Sequence, residues 1–120
     1  RVQSKGGHLL ISDSFLNSTA TSNETKEIFD EYWKSDISSE AQLAAALRDA
    51  GYSLLHLVDT TQDQMPFWQL SIQYSTNRLG RESEVSDRLA LIGSRQFHEF
   101  LFNSYATRQL TYLQILAVAV

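Results

Sequence analysis

Residues 51–68 read GYSLLHLVDTTQDQMPFW. Leu54, Leu55, Leu57 and Val58 form an apolar run too short for a helix, so residues 52–59 read as a buried strand. Thr60, Thr61, Gln62 and Asp63 supply the polar turn that ends it. Pro66 then falls in the expected first turn of a helix, where a missing N–H costs nothing. Phe67 and Trp68 follow at once. A strand that ends in polar residues and sets two aromatics over its own C-terminal end has the layout of a ligand pocket in an open α/β sheet. An aromatic pair packed beneath a surface loop gives the same pattern.

Outward from this stretch, strands alternate with helices. Upstream, Gly6-Gly7 reads as a tight turn feeding a strand over 8–12. Its run Leu9, Leu10, Ile11 is the pattern of a strand covered on both faces. Asp13, Ser14, Phe15 and Leu16 lie at or just past its end, and 17–23 is a Ser/Thr/Asn loop. Thr21 with Glu24 fits a capping box, and Ile28, Phe29, Tyr32 and Trp33 share one face of the helix that follows, which stops near Ser35 or Asp36. Ser39 with Gln42 signals a second helix. Its buried stripe is Leu43, Ala46, Leu47 and Ala50, and Gly51 is its stop. Downstream, Trp68, Ile72 and Leu79 keep helical spacing up to Gly80. Val85, Leu89 and Ile92 open another helix whose phase breaks at Gly93-Ser94, and Phe97, Leu101 and Tyr105 resume it, which predicts a bend or a new cap. Residues 112–120 form a last apolar strand. The order β-α-α-β-α-α-β places the chain in the α/β class.

Composition narrows the chemistry. A chain of 120 residues is one domain or less, and 42% hydrophobic content is ordinary for a globular protein. A formal charge of −4 with no basic patch argues against nucleic acid as a partner. With no cysteine there is no disulfide, thiolate metal site or cysteine nucleophile in this chain. No run approaches a membrane span and no signal peptide is visible. The first residue is Arg1 rather than Met, so the chain is expected to begin inside something longer, and a cytoplasmic setting is the expectation for it. Sequons occur at Asn17 and Asn23, a short pattern that arises often by chance. His8, His56 and His98 form no metal pair at helical spacing; the first two read as hydrogen-bonded core residues in strands, the third as a helix-surface residue. No nucleophile-elbow pattern is present, and Gly6-Gly7 precedes a strand whereas a phosphate loop follows one. Asp30, Glu31 and Asp36 cluster around the first helix, as on a solvated face.

The order of parts resembles the second half of class I S-adenosylmethionine-dependent methyltransferases. Lys5-Gly6-Gly7 into HLLISD is similar to the Pro-Gly-Gly stretch that opens their fifth strand. Within that fold the chain resembles small-molecule C-methyltransferases of the geranyl diphosphate C-methyltransferase type. FDEYWKSDISSEAQLAAAL is similar to their helix-loop segment, LVDTTQDQMPFWQL to their Val-x-Asp-Leu-Thr-x-x-x-x-Pro-Tyr-Trp-x-Leu segment, and the part from Phe97 through TYLQILAVAV to their closing helix and strand. The resemblance spans nearly the whole chain. Lys5 stands where the fold usually has proline, and Ser38-Ser39 where the terpenoid group tends to have His-Pro, which counts against a diphosphate substrate.

The resemblance implies a Rossmann-like sheet whose last strand lies between the strands at 8–12 and 52–59 and runs antiparallel to both. It implies S-adenosylmethionine as cofactor, bound through a glycine-rich loop and an acidic residue that this chain does not contain. Residues 1–120 are thus expected to be the C-terminal half of a methyltransferase domain, inactive alone, with the cofactor-binding N-terminal half absent from the chain. Its partners would be a small organic or terpenoid-like acceptor and either the missing half or a homo-oligomer mate. Methyl transfer from a sulfonium needs orientation and a dry pocket more than acid–base groups, and aromatic faces stabilise cations. Tyr32, Trp33, Phe67 and Trp68 are therefore expected to line the acceptor pocket, with Asp36 orienting a substrate hydroxyl or amine. The bland alternative for Trp33 is simple burial between helix and sheet. No catalytic base, cofactor-binding residue or metal ligand is assigned. A different class, a non-catalytic α/β binding or assembly domain whose aromatics hold a partner helix, fits the same residues.

Overall fold

The computed structural model describes residues 4–17, 19 and 23–120. The element order is β1 (His8–Leu16), α1 (Asn23–Trp33), α2 (Glu40–Asp49), β2 (Tyr52–Asp59), α3 (Thr61–Leu79), α4 (Val85–Ala106) and β3 (Leu110–Ala119). The three strands form one sheet in the order β1-β3-β2, with β3 antiparallel to both neighbours. The alternation and the central antiparallel strand are those expected. β1 and β2 run parallel to each other, so their C-terminal ends share one edge of the sheet.

Local chemistry sets the boundaries. Gly6 and Gly51 hold φ of 87° and 88°, a conformation that favours glycine, and each turns the chain into a strand. Ser39 and Gln42 form the expected reciprocal capping box at the start of α2. The one read from Thr21 lies outside the described residues. Lys34, at φ 52°, stops α1 just after Trp33, slightly earlier than the spacing predicts.

Several expectations are corrected. β1 runs on to Leu16, so Asp13, Ser14, Phe15 and Leu16 are strand residues. β3 begins at Leu110. Neither β1 nor β2 is covered on both faces. Leu113, Ile115, Ala117 and Ala119 of β3 are buried on one face, where Leu47 of α2 packs with Phe15, while Leu10 is 69% exposed on the other. His8 and His56 pair with Val118 and Leu116 on this open face and are exposed, not core. His98, read as a surface residue, is half-buried beside Trp68. Ala46 and Ala50 are exposed, so of the expected stripe only Leu47 is buried and Leu43 partly so.

The segment 60–63 is not a free turn. Asp59 accepts hydrogen bonds from the Thr61 N–H at 2.9 Å and the Thr61 hydroxyl at 2.5 Å. The fully buried Thr61 hydroxyl in turn accepts from the Tyr112 N–H at 2.9 Å. The helix therefore starts at Thr61, and Pro66 sits inside it rather than in its first turn. There the ring removes one ladder hydrogen bond. Helix α4 is continuous through Gly93-Ser94. The shift in its apolar phase marks a change of neighbour. Its first half, with exposed Val85 and Leu89, runs beside α3, where Arg88 donates to the Leu79 and Glu82 carbonyls. Its second half buries Phe97, Leu101 and Tyr105 with Phe29, Ile37 and Leu110 in a second core, past the ends of β1 and β2. Among the described residues no helix is long and apolar enough to cross a membrane.

Candidate functional site

A cavity of about 440 Å³ opens at the C-terminal edge of β1. Its volume is that of a small-molecule site. Asp13, Ser14 and Phe15 contribute from β1, Phe29 and Trp33 from α1, Trp68 from α3, Leu101 and Tyr105 from α4, and Tyr112 from β3. The connection after α1 supplies Ser35, Asp36, Ile37 and Ser38.

Three of the residues singled out from the sequence, Trp33, Asp36 and Trp68, line this one cavity. Trp33 is 51% exposed, so it is not simply buried between helix and sheet. Tyr32 and Phe67 are placed elsewhere. Tyr32 stacks on Phe97 with ring centroids 3.6 Å apart, on the other side of α1, along a groove against α4. Phe67, 57% exposed, meets Trp68 edge-on and faces a groove between α3 and α4. The reason is helical geometry: adjacent residues are about 100° apart around the axis, so one of each aromatic pair must leave the cavity.

Two features have little or no local signature. The first is the hydrogen-bonded hydroxyl pair of Ser14 and Tyr105 on the cavity wall. Burial pushes the Tyr105 phenol up to about 12, against the opposing effect of the Ser14 hydrogen bond, so it stays protonated at neutral pH. The two are 91 residues apart in sequence, and only the sheet-helix packing joins them.

The second is a clamp behind the 35–38 segment. Asp30 accepts from the Ile37 N–H at 2.8 Å and the Ser35 hydroxyl at 3.1 Å. Lys26 donates to Asp30 at 2.5 Å, to Asp36 at 2.6 Å and to the Ile37 carbonyl at 3.4 Å. Burial works to raise the Asp30 carboxyl, but Lys26, the Ile37 amide and the Ser35 hydroxyl together hold it below the usual range. Lys26 is shifted upward by its hydrogen bonds to Asp30 and Asp36. The acidic cluster that reads as a solvated face is therefore partly structural. The spacing of Lys26 and Asp30 at i, i+4 was its one visible sign.

A comparable lock closes the sheet edge. Arg108, at φ 60°, pairs with Asp59 at 2.5 Å and ties the turn before β3 to the end of β2. Burial works to raise the Asp59 carboxyl, but Thr61 and Arg108 hold it below its ordinary value. Among the described residues no group of three or more His, Asp or Glu is placed to hold a metal ion.

No family model matches the sequence, and no curated protein matches it. Solved structures do. Geranyl diphosphate C-methyltransferase from Streptomyces coelicolor A3(2), crystallised with Mg²⁺, geranyl diphosphate and S-adenosyl-L-homocysteine, superposes with a TM-score of 0.73 at 20% identity, over all of this chain and 38% of that one. A Galdieria sulphuraria protein assigned as a sarcosine dimethylglycine methyltransferase gives 0.80 at 14% identity, over 98% of this chain and 43% of that one. Phosphoethanolamine N-methyltransferase 2 from Haemonchus contortus, in complex with phosphomonomethylethanolamine and S-adenosylhomocysteine, gives 0.71 at 14% identity, over 96% of this chain and 27% of that one. The chain spans about 40% of the length of the geranyl diphosphate methyltransferases it matches. Its sheet order, its central antiparallel strand and its paired helices together make the fold that of the C-terminal part of S-adenosylmethionine-dependent methyltransferases.

Proposed function

We propose that this chain forms the acceptor side of an S-adenosylmethionine-dependent methyltransferase that acts on a small organic molecule. One observation carries the reading: Trp33, Asp36 and Trp68, from separate segments, line one cavity at the C-terminal edge of the strands, in a fold shared with methyltransferases. That edge is where open α/β sheets bind ligands.

The described residues do not make a cradle for the cofactor's nucleotide. Gly6, Gly7 and Gly51 precede strands, Gly80 follows α3 and Gly93 lies within α4, so no glycine lies in a strand-to-helix turn. The cofactor's share of the site is therefore assigned to the N-terminal half of the domain, outside this sequence. The cofactor supplies a methyl group on a positively charged sulfur. The residues of this chain hold the acceptor. Trp33, Trp68 and Phe29 offer apolar faces to the acceptor, and Ser14 and Tyr105 offer polar atoms on the same wall. Orientation and dryness are what such a transfer needs. The Tyr105 hydroxyl, hydrogen-bonded to Ser14, can orient the acceptor.

Trp68→Ala in the protein that carries this chain tests the reading. The acceptor's KM should rise or turnover fall, by about tenfold or more if the indole packs on the acceptor, while affinity for S-adenosylmethionine holds. Unchanged kinetics per folded molecule with a lower Tm would make Trp68 a core residue and overturn the assignment.

A further inference from the structure

The charge around the cavity is one-sided. None of its described lining residues is basic, whereas Asp13 and Asp36 both line it. Asp13 is exposed, and among the described residues no ion pair reaches it; its Oδ1 accepts only the Ser14 N–H, at 2.7 Å. Asp36 does have a cation, but a shared one. The single ammonium of Lys26 is divided between Asp30 and Asp36. Of these carboxylates only Asp13 and Asp36 line the cavity, and with Lys26 divided between Asp36 and Asp30 the rim is net negative. Such a rim repels an anion and draws a cation.

The wall between these carboxylates is aromatic. Trp33 and Trp68 come from different helices, and Tyr105 stacks parallel to Trp68 at 6.1 Å. Indole and phenol faces attract cations, tryptophan most strongly. Aromatic faces combined with carboxylates and no basic lining group are a poor home for a diphosphate or carboxylate and a good one for an alkylammonium.

Resting on the reading of the chain as the acceptor side of a methyltransferase, we infer that the acceptor's recognition group is a positively charged amine on an apolar body. The amine is held against the indoles of Trp33 and Trp68, with Asp13 and Asp36 facing its charge. This concerns how the acceptor is held, and is separate from which of its atoms is methylated.

Trp33 and Trp68 both line the cavity, so in the protein that carries this chain the part of the fluorescence lost in the Trp33→Phe and Trp68→Phe variants reports on it directly. The probes are three compounds of one size: N-methylphenethylamine, 3-phenylpropanol and 3-phenylpropionate, which are cationic, neutral and anionic at pH 7. The cation should quench with a Kd at least about tenfold below that of the anion, the neutral compound falling between. The double variant Asp13→Asn/Asp36→Asn should level the three, while Asp87→Asn, on α4 away from the cavity, should leave the preference intact. Binding of the anion as tightly as the cation, absence of quenching by all three, or survival of the preference in the double variant would overturn the inference. A second assay separates its fate from that of the enzyme reading. Transfer of a labelled methyl from S-adenosylmethionine to anionic acceptors in preference to cationic ones sinks the amine and keeps the enzyme. Cation binding abolished by the double variant, with no methyl transfer to any acceptor, supports the amine site and counts against the enzyme.

Discussion

Tyr105 shows how much a single buried group can shape the site. It is 1% exposed, shares a hydrogen bond with Ser14 on the cavity wall, and its phenol is pushed up to about 12. Tyr105→Phe should cost about 1 kcal/mol at neutral pH, the ordinary net worth of one hydrogen bond. The pH dependence gives a sharper check. In the unfolded chain the phenol ionises near 10, whereas in the fold it does so only near 12. The stability it contributes is thus fully present below pH 10 and is lost as pH rises through the window from 10 to 12. Over that window the gap between wild type and Tyr105→Phe, followed by urea midpoints, should fall by about 1.4 kcal/mol per pH unit, so that it closes within about one unit above pH 10 and then reverses, wild type becoming the less stable. A constant gap would mean that the phenol is not held protonated. None of this was visible in the sequence, where Tyr105 reads only as one apolar position on a helix stripe. Trp33 and Trp68 were visible, because each follows a strand that ends at the same edge of the sheet.

At the level of elements, the sequence marked those whose signals are local and missed those whose environment is set from afar. The Ser39–Gln42 capping box and the stop at Gly51 lie within a few residues of what they control, and both stand as read. Burial of β1 on two faces was misread, and β2 is largely exposed rather than the buried strand it reads as, because a run such as Leu9-Leu10-Ile11 records no information on which face is covered. Thr60 to Asp63 read as a turn because the partner of Thr61, the amide of Tyr112, lies 51 residues away. The 35–38 connection is the element where function is most exposed to such distant effects. It has no helix or strand of its own, and its place beside the cavity is held by Asp30 and Lys26 and by the Leu16 N–H, which donates to the Ser38 carbonyl. Asp30→Asn keeps the size of the side chain but weakens the ion pair and the charge-assisted bonds to Ser35 and Ile37. It should raise the acceptor's KM roughly three- to tenfold with a smaller effect on kcat, because the wall is displaced while the reacting groups are untouched. Lys26→Arg, which keeps the cation, should stay closer to wild type than Lys26→Met. An equal KM in all three variants would remove the clamp from any positioning role.

The whole molecule is more open than its length warrants. A compact domain of 120 residues has a radius of gyration of about 14 Å, and this chain has 17.4 Å, with extents of 56 × 28 × 24 Å. Its accessible surface is 7587 Å², against about 6,600 Å² for a compact monomer of its mass. The excess, on the order of 1,000 Å², is what a specific interface buries. It can be located. Among the described residues β1 pairs only with β3, so its outer edge is unpaired, and Leu10 on the open face is 69% exposed. Unpaired edges and uncovered apolar faces recruit other chains unless charge or proline guards them. The 120-residue chain by itself should therefore self-associate, its weight-average mass in sedimentation velocity rising with concentration. Leu10→Lys places a charge on the open face beside the free edge, the substitution by which natural edge strands are guarded, and should lower that association without touching the cavity. Addition of the upstream half of the proposed methyltransferase domain should suppress association further and sharpen unfolding, since it would continue the sheet from β1. A concentration-independent monomer with cooperative unfolding would show that these residues already bury what they need. That outcome would favour a self-sufficient binding module over one half of an enzyme.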